Sequence, residues 1–66
     1  MIKVTRLNKT EFWVNVHQIE FIEALPDTTI SMMSGRKLVV LDKIEDVLNR
    51  ITQYRHSLTD NTANEL

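Results

Sequence analysis

The spacing of the apolar residues changes once along this chain, close to Asp42. Before that point, apolar and polar residues alternate in short runs, which is the pattern of β-strands. After it, apolar residues recur every three or four positions, as they do on one face of a helix. This stripe consists of Ile44, Val47, Leu48, Ile51, either Tyr54 or Arg55, and Leu58. This change predicts a set of short strands followed by a single helix.

Turn sequences divide the first part of the chain into five predicted strands. The runs IKVTRL (residues 2–7) and FWVNV (residues 12–16) flank the polar turn NKTE, and together they predict a β-hairpin. The chain's single proline, in PDT, and its single glycine, in SGR, separate IEFIEAL, TTISMM and KLVVL, which predict three more strands. Asn8 and Gly35 are expected to supply the left-handed backbone that tight turns need. The expected fold is α+β, a small antiparallel-rich sheet of about five strands followed by one C-terminal helix.

The predicted helix carries its own start signals. Asp42 is a favourable N-cap residue, and Glu45 follows at the spacing of a capping box. Asp46 and Arg50 lie one helical turn apart, so they are expected to form an ion pair along the helix. The final residues, TDNTANEL, show no apolar period. We therefore expect one domain over residues 1–58 and a disordered tail over residues 59–66.

A chain of 66 residues has a thin core, so it usually needs a disulfide, a metal ion or a partner subunit. The absence of cysteine excludes disulfides and thiolate metal sites. The two histidines, His17 and His56, belong to no closely spaced motif of histidines and acids. Self-association into a homo-oligomer is therefore the leading hypothesis, and neither a metal nor a cofactor is expected.

Charge and hydropathy narrow the choice of partners. Eight basic and nine acidic residues give a net charge of -1, whereas nucleic-acid-binding domains usually carry a basic excess. No apolar run approaches the roughly 20 residues that span a bilayer, and the first residues lack the layout of a signal peptide. Nucleic acid is disfavoured as a partner, membrane insertion is not expected, and the predicted location is the cytoplasm.

The predicted sheet has more apolar surface than one helix can cover. Apolar residues occupy both alternating positions of several strands, and Ile22 is assigned to the face opposite Phe21. The surplus face either closes into a small barrel or is covered by another subunit or another protein. The candidate interface residues on it are Leu7, Trp13, Ile22, Met33 and Val39.

Some of these residues also have a simpler interpretation. Trp13 suits an interface anchor, because tryptophan is enriched in binding hot spots, but a core tryptophan is the simpler interpretation. Met33, with its neighbour Met32, suits either an adaptable contact surface or plain core filling. The sequence contains no phosphate-binding loop, dinucleotide fingerprint or catalytic triad, so no catalytic residue is assigned and enzymatic activity is not predicted.

Several segments, in this order, resemble the FlbD family of flagellar proteins, also called the swarming motility protein SwrD family. They are IKVTRLN with FWVN after the turn, IEFIEALPDTTI, SGRKLVV and DKIEDVLNRITQYR, which together cover about residues 2–55. Lys9 departs from the family, which commonly has glycine in the first turn, and SMM departs where threonine and leucine are more usual. The resemblance implies a non-enzymatic cytoplasmic protein that supports motility and swarming, including motor power through the stator units. Its expected partner is a flagellar motor or flagellar-assembly protein.

A small dimeric RNA-binding regulator of the carbon-storage-regulator type is the alternative, because that family also has five strands and a terminal helix. This is an analogy of layout rather than of motif, and the net charge of -1 argues against it. The placement of the basic residues decides between the two functions. If these side chains gather on one exposed face, RNA is favoured as the partner, and if they are scattered, a protein is favoured. The residues in question are Lys3, Arg6, Lys9, Arg36 and Lys37.

Overall fold

The structure is a computed structural model that describes the backbone of residues 1–65 and the side chains of residues 1–57. Five strands come first: β1 (Ile2–Thr5), β2 (Glu11–Val14), β3 (Ile19–Glu23), β4 (Thr29–Met32) and β5 (Lys37–Val39). A 3-10 turn (Val16–Gln18) links β2 to β3, and helix α1 (Ile44–Glu65) follows β5. The predicted α+β class, with five strands and one C-terminal helix, is confirmed.

The strands form two antiparallel sheets that meet at one edge. β1 pairs with β2, while β3, β4 and β5 form a second sheet in that order. An isolated antiparallel bridge joins Arg6, just past β1, to Val40, just past β5. Beside it, the Leu41 amide donates to the Thr5 carbonyl at 2.9 Å. The spatial order is therefore β2, β1, β5, β4, β3, with β2 and β3 at the two ends.

The core lies where the two sheets and the helix meet. The hairpin, the second sheet and the helix each contribute one of its most buried side chains. Val4 of β1 is 1% exposed, and Ile30 of β4 and Val47 of α1 are 0% exposed. The other members of the cluster are Ile2, Val14, Val16, Val40 and Ile51. Each such side chain contributes about 1.5–3 kcal/mol relative to an exposed one, so this cluster holds the hairpin, the second sheet and the helix together.

Positive φ angles occur in the NKTE turn and in the SGR turn, and in the NKTE turn the residue differs from the predicted one. Gly35 has a φ of 92°, as expected. In the first turn the positive φ, 70°, belongs to Lys9 and not to Asn8. Oδ1 of Asn8 instead accepts hydrogen bonds from the Thr10 amide at 3.1 Å and the Thr10 hydroxyl at 2.7 Å. Lys9 thus adopts the conformation that glycine adopts at least cost, at the position where the resembling family commonly has glycine.

The predicted capping box and the predicted ion pair along the helix are both wrong. Oδ1 of Asp42 accepts a hydrogen bond from the Thr5 amide at 2.6 Å, and Oδ2 accepts one from Arg50 at 2.5 Å. The carboxylate therefore links β1 to helix α1 through Arg50 and does not cap the helix. Helix α1 begins at Ile44. Arg50 pairs with this shielded carboxylate and not with Asp46, because an ion pair gains more where water is partly excluded.

Strand β3 does not follow the predicted alternation. Its pairing with β4 shifts register between Ile19 and Phe21, and such an irregularity changes which residues share a face. Ile22 consequently packs against the core beside Ile19, whereas Phe21 is 45% exposed. The assignment of Ile22 to the uncovered face is therefore wrong, and Phe21 is the more exposed of the two residues.

The buried face of α1 is narrower than the predicted stripe. Val47 and Ile51 belong to the core and Tyr54 packs partly against it, but Leu48 is 48% exposed. The side chain of Leu58 lies outside the described residues. The predicted domain boundary at residue 58 and the predicted disordered tail, residues 59–66, also fall outside the described side chains, and both stay predictions.

Candidate functional site

Strand β2 presents the chain's single tryptophan to solvent. Trp13 is 60% exposed, so the interpretation as a core residue is wrong. Its cross-strand partner is Lys3, whose ammonium group lies 5.6 Å from the centroid of the indole ring. The same ammonium group lies 3.8 Å from the Glu11 carboxylate. Because residues 11 and 13 share a face of β2, these three side chains form the outer face of the hairpin.

The hydrogen bonds of the hairpin leave one edge of β2 open. The Arg6 amide donates to the Thr10 carbonyl at 2.8 Å, so these two residues form a hydrogen-bonded pair. In an antiparallel ladder, bonded and non-bonded pairs alternate, so Phe12 bonds to β1 while Glu11 and Trp13 direct their amides and carbonyls away from it. β2 pairs only with β1, and no described residue supplies a partner for these outward groups.

A groove of about 520 Å³ runs along this open edge, and we call it the β2 groove. Residues 12–15 line it consecutively, so the edge of the strand borders it as well as one face. The opposite wall comes from the β4–β5 hairpin, through Met32, Arg36 and Leu38. Phe12, Met32 and Leu38 pack partly against the core and give the groove an apolar floor.

Two arginines border the β2 groove. The guanidinium carbon of Arg6 lies 4.3 Å from the centroid of the Phe12 ring, and Arg36 joins it from the β4–β5 side. An adjoining groove of about 390 Å³ shares Arg6 and adds Lys37. None of the described acidic side chains lines either groove. This part of the surface is therefore positive, although the whole chain carries a net charge of -1.

The candidate interface residues do not form one patch. Leu7 and Val39 line the adjoining groove, at 59% and 37% exposure, and Trp13 lines the β2 groove. Met33 is 61% exposed but lines neither groove, and Ile22 packs against the core. Sequence reasoning missed Phe12 and Leu38 of the floor as site residues, and it considered Met32 only together with Met33, as a contact surface or as core filling. Their alternation marks them as inward-facing, but it does not reveal that their end of the core stays open.

The basic residues gather only in part. Arg6, Arg36 and Lys37 meet at the two grooves. Lys3 lies on the outer face beside Glu11, and Lys9 lies in the first turn. Three of the five basic side chains therefore lie together and two lie apart, so their placement does not by itself decide between an RNA partner and a protein partner.

The carboxylate of Asp42 closes the other side of the hairpin. Burial raises the pKa of Asp42, but the hydrogen bonds from Arg50 and from the Thr5 amide, together with the charge of Arg50, outweigh it. The pKa of Asp42 is thus held below its ordinary value of 3.8. The side chain is 7% exposed, so at neutral pH a shielded negative charge holds β1 to the helix.

The residues that the structure describes offer neither a metal cluster nor a membrane-spanning helix. Within the residues that the structure describes, no group of three histidine, aspartate or glutamate side chains is placed to hold a metal ion. The described part of helix α1 contains no stretch that is long and apolar enough to cross a membrane.

Comparison with known proteins identifies a protein family. The model of the family FlbD, described as flagellar and swarming motility proteins, matches residues 1–59. Neither a curated protein nor a solved structure matches the chain significantly. The family match covers more than half of the chain and agrees with the resemblance carried by the four quoted segments and their order along the chain.

Proposed function

Because this chain belongs to the FlbD family of flagellar and swarming motility proteins, we propose that it supports motility by binding another protein rather than by catalysis. The proposed partner is a protein of the flagellar motor, with the stator units as the first candidate, or a protein of flagellar assembly. The proposed location is the cytoplasm. One observation carries the proposal: an exposed tryptophan borders an apolar groove beside an unpaired strand edge.

The β2 groove combines features that suit a protein partner. Trp13 offers a large, rigid contact surface of the kind that dominates interface energetics. The floor formed by Phe12 and Leu38 accepts apolar side chains, and a volume of about 520 Å³ accommodates a few of them. An open strand edge beside exposed apolar groups is an aggregation hazard, which a bound partner would remove.

A swarming assay tests this function. The host is a motile bacterium whose own family member has been deleted, and the wild-type chain is expected to restore swarming. Trp13→Ala is expected to fail at an equal protein level, because it removes the anchor of the groove. Leu25→Ala is the matched control, since Leu25 is 87% exposed and lies at neither groove. Full restoration by Trp13→Ala would contradict the proposal.

We further propose that the chain self-associates through a different surface. Phe21 and Leu48 are 45% and 48% exposed and line a groove between β3 and α1. Glu20 and Arg55 line the same groove, so a two-fold contact between copies could place opposite charges against each other. Light scattering across a concentration series is expected to show a dimer or larger species for the wild-type chain. Leu48→Lys is expected to give the monomer mass, and a wild-type monomer at every concentration would overturn the proposal.

An RNA-binding regulator is kept as the second candidate, because Arg6, Arg36 and Lys37 meet at the grooves. The net charge of -1 provides little general attraction for a polyanion, so we expect no binding of single-stranded RNA at moderate salt. A gel-shift titration measures this directly. Salt-sensitive binding that Arg36→Glu abolishes would favour the RNA function over the protein-binding function.

A further inference from the structure

We propose that the β2 groove binds an extended acidic segment of a partner protein, which adds to the open edge of β2 as a further strand. This inference rests on the proposed protein-binding function and specifies the chemistry of its partner. Three features of the β2 groove support it. They are the outward backbone groups of β2, the apolar floor, and the pair of arginines unaccompanied by any described carboxylate.

The backbone of β2 offers the first part of the site. The amides and carbonyls of Glu11 and Trp13 point away from β1 and meet no partner among the described residues. Main-chain hydrogen bonds to such an edge provide affinity that is independent of the partner's side chains. Because residues 12–15 all line the β2 groove, a segment lying in it would run along this edge.

The floor of the groove provides the second part. In a strand added to β2, every second side chain would point to the inner side of the sheet, where Phe12 and Leu38 lie. Both residues already pack partly against the core, so their positions are fixed before binding. Large apolar side chains at the central inward-facing positions of the segment would fill this space, which leaves its outer inward-facing positions for side chains that meet the arginines, and Trp13 would cover the other side.

The arginines determine the charge of the segment. Arg6 lies over the Phe12 ring, and stacking on a ring leaves the donors in the guanidinium plane available to a carboxylate. Arg36 faces the same groove from the β4–β5 hairpin. With two guanidinium groups and no described carboxylate at the groove, an acidic segment is favoured over a basic or neutral one.

The same charges disfavour two other occupants. A second copy of this chain, paired edge to edge through β2, would bring its own Arg6 and Arg36 toward the same groove, and like charges would oppose the contact. Single-stranded RNA uses a track of cations for its phosphates, whereas this groove offers two arginines above an aliphatic and aromatic floor.

Binding is tested with a capped heptapeptide that carries leucine at positions 3 and 5, aspartate at positions 1 and 7, and threonine between them. The aspartates and leucines then share the inward side of the added strand, where Arg6 and Arg36 line the groove. Two peptides of the same pattern serve as controls, with asparagine or lysine in place of aspartate, and a short oligouridylate tests RNA. The chain has one tryptophan, and it borders the groove, so the fluorescence of Trp13 reports binding directly. The aspartate peptide is expected to bind roughly tenfold more tightly than the asparagine peptide, as one charge-assisted hydrogen bond would give. Arg36→Glu is expected to abolish this preference, and Lys43→Glu, an equal change of charge outside both grooves, is expected to keep it.

Amide hydrogen exchange tests strand addition separately from charge. The aspartate peptide is expected to slow exchange at Glu11 and Trp13, whereas the amide of Phe12 is already protected by β1. Glu11→Pro removes an outward N–H from the first residue of an edge strand, where proline is tolerated. It is expected to weaken binding at least tenfold, while Glu11→Gln, which loses only the carboxylate, is expected to bind as well as the wild type.

Each outcome decides the inference. Equal binding of the aspartate and lysine peptides, tighter binding of oligouridylate, or unchanged exchange at Trp13 on saturation with peptide would overturn it. Protection of Trp13 that grows with protein concentration in the absence of peptide would also overturn it, in favour of a second copy. Swarming lost with Trp13→Ala but retained with Arg36→Glu would leave the proposed function standing while this inference fails.

Discussion

The two edges of the β1–β2 hairpin differ in what covers them. On the β1 edge, the Lys3 carbonyl accepts a hydrogen bond from Arg50 at 2.8 Å. The Thr5 amide donates to Asp42, and the Thr5 carbonyl accepts from the Leu41 amide. On the β2 edge, the outward backbone groups of Glu11 and Trp13 find no partner among the described residues. One edge is closed by the remainder of the chain, and the other is left open.

This difference does not arise from the strands themselves. Both have four residues, and they form one antiparallel ladder. It arises from where the chain returns after β5, because the segment with Leu41 and Asp42 passes beside β1 and then enters the helix. Four hydrogen bonds involve this segment and the helix: Leu41 and Arg50 donate to the carbonyls of β1, and the Asp42 carboxylate accepts from the Thr5 amide and from Arg50. A domain this small therefore commits one edge to its own stability, and the other edge is the one at which we propose that a partner binds.

The open edge is also guarded. β2 is only four residues long, it begins with a charged residue, and Lys3 lies beside Trp13 on the outer face. Short length and charged side chains are the usual means by which edge strands avoid pairing with unintended chains. An edge protected in this way is expected to oppose unselective association, so the proposed partner segment would have to be selected by the fit of its side chains to the groove.

The largest effect is expected from breaking the closed edge at Asp42. Asp42→Ala removes the acceptor of the Thr5 amide and the partner of Arg50, and hydrogen bonds that involve a charged group contribute about 1.5–3 kcal/mol each. We expect the free energy of unfolding to fall by about 2 kcal/mol. Urea denaturation followed by circular dichroism measures this.

Asp42→Asn is the matched control for this variant. The amide side chain keeps an oxygen for the Thr5 N–H but loses the charge that attracts Arg50, so about half of the loss is expected. Equal stability of the wild type and Asp42→Ala would mean that the β1 edge does not depend on this carboxylate, and the contrast between the edges would disappear.

A smaller, graded effect is expected from acid. Because the pKa of Asp42 is held below 3.8, the folded state binds its proton less readily than the unfolded state does. The stabilisation is therefore complete above the unfolded pKa of about 3.9, and it is lost as the pH falls through the lower folded value. Urea midpoints taken from neutral pH downward should fall less steeply for Asp42→Asn than for the wild type. Parallel curves would show that this carboxylate does not contribute to acid sensitivity.

Sequence reasoning identified the elements but not how they come together. The change of period at Asp42 predicted the strands and the helix, because local periodicity records which face of each element is buried. The role of Asp42 was missed because an aspartate before a helix has the same signature whether it caps the helix or reaches a distant strand. Ile22 was misplaced because one register shift changes which side chains share a face, and the sequence does not mark it.

The sequence predicted that an uncovered apolar surface exists, but it did not predict where the groove lies. The surplus of apolar residues indicated an uncovered surface, and Trp13, Leu7 and Val39 are exposed. The meeting of Arg6 with Arg36 was not predictable, because it depends on how the two hairpins lie relative to each other. That relation is set by the bridge between Arg6 and Val40, the adjacent Leu41–Thr5 hydrogen bond and the shared core, and contacts so distant in sequence leave no periodic signal.

The smallest effect on stability is expected at the open edge. Trp13→Thr removes an exposed ring and its contact with Lys3, but it retains a residue with high β propensity. We expect the free energy of unfolding to change by less than about 1 kcal/mol, since exposed cation–π contacts are worth about 0.5–1 kcal/mol.

Val14→Ala, at the next position of the same strand, is the comparison variant for Trp13→Thr. Val14 is 3% exposed and belongs to the core, so its truncation is expected to cost about 1–3 kcal/mol. Urea denaturation of both variants compares an inward with an outward residue of one strand. A loss for Trp13→Thr as large as that for Val14→Ala would show that the tryptophan holds the fold together. The open edge would then be a structural surface, and the loss of swarming expected for Trp13→Ala would report unfolding rather than a lost partner.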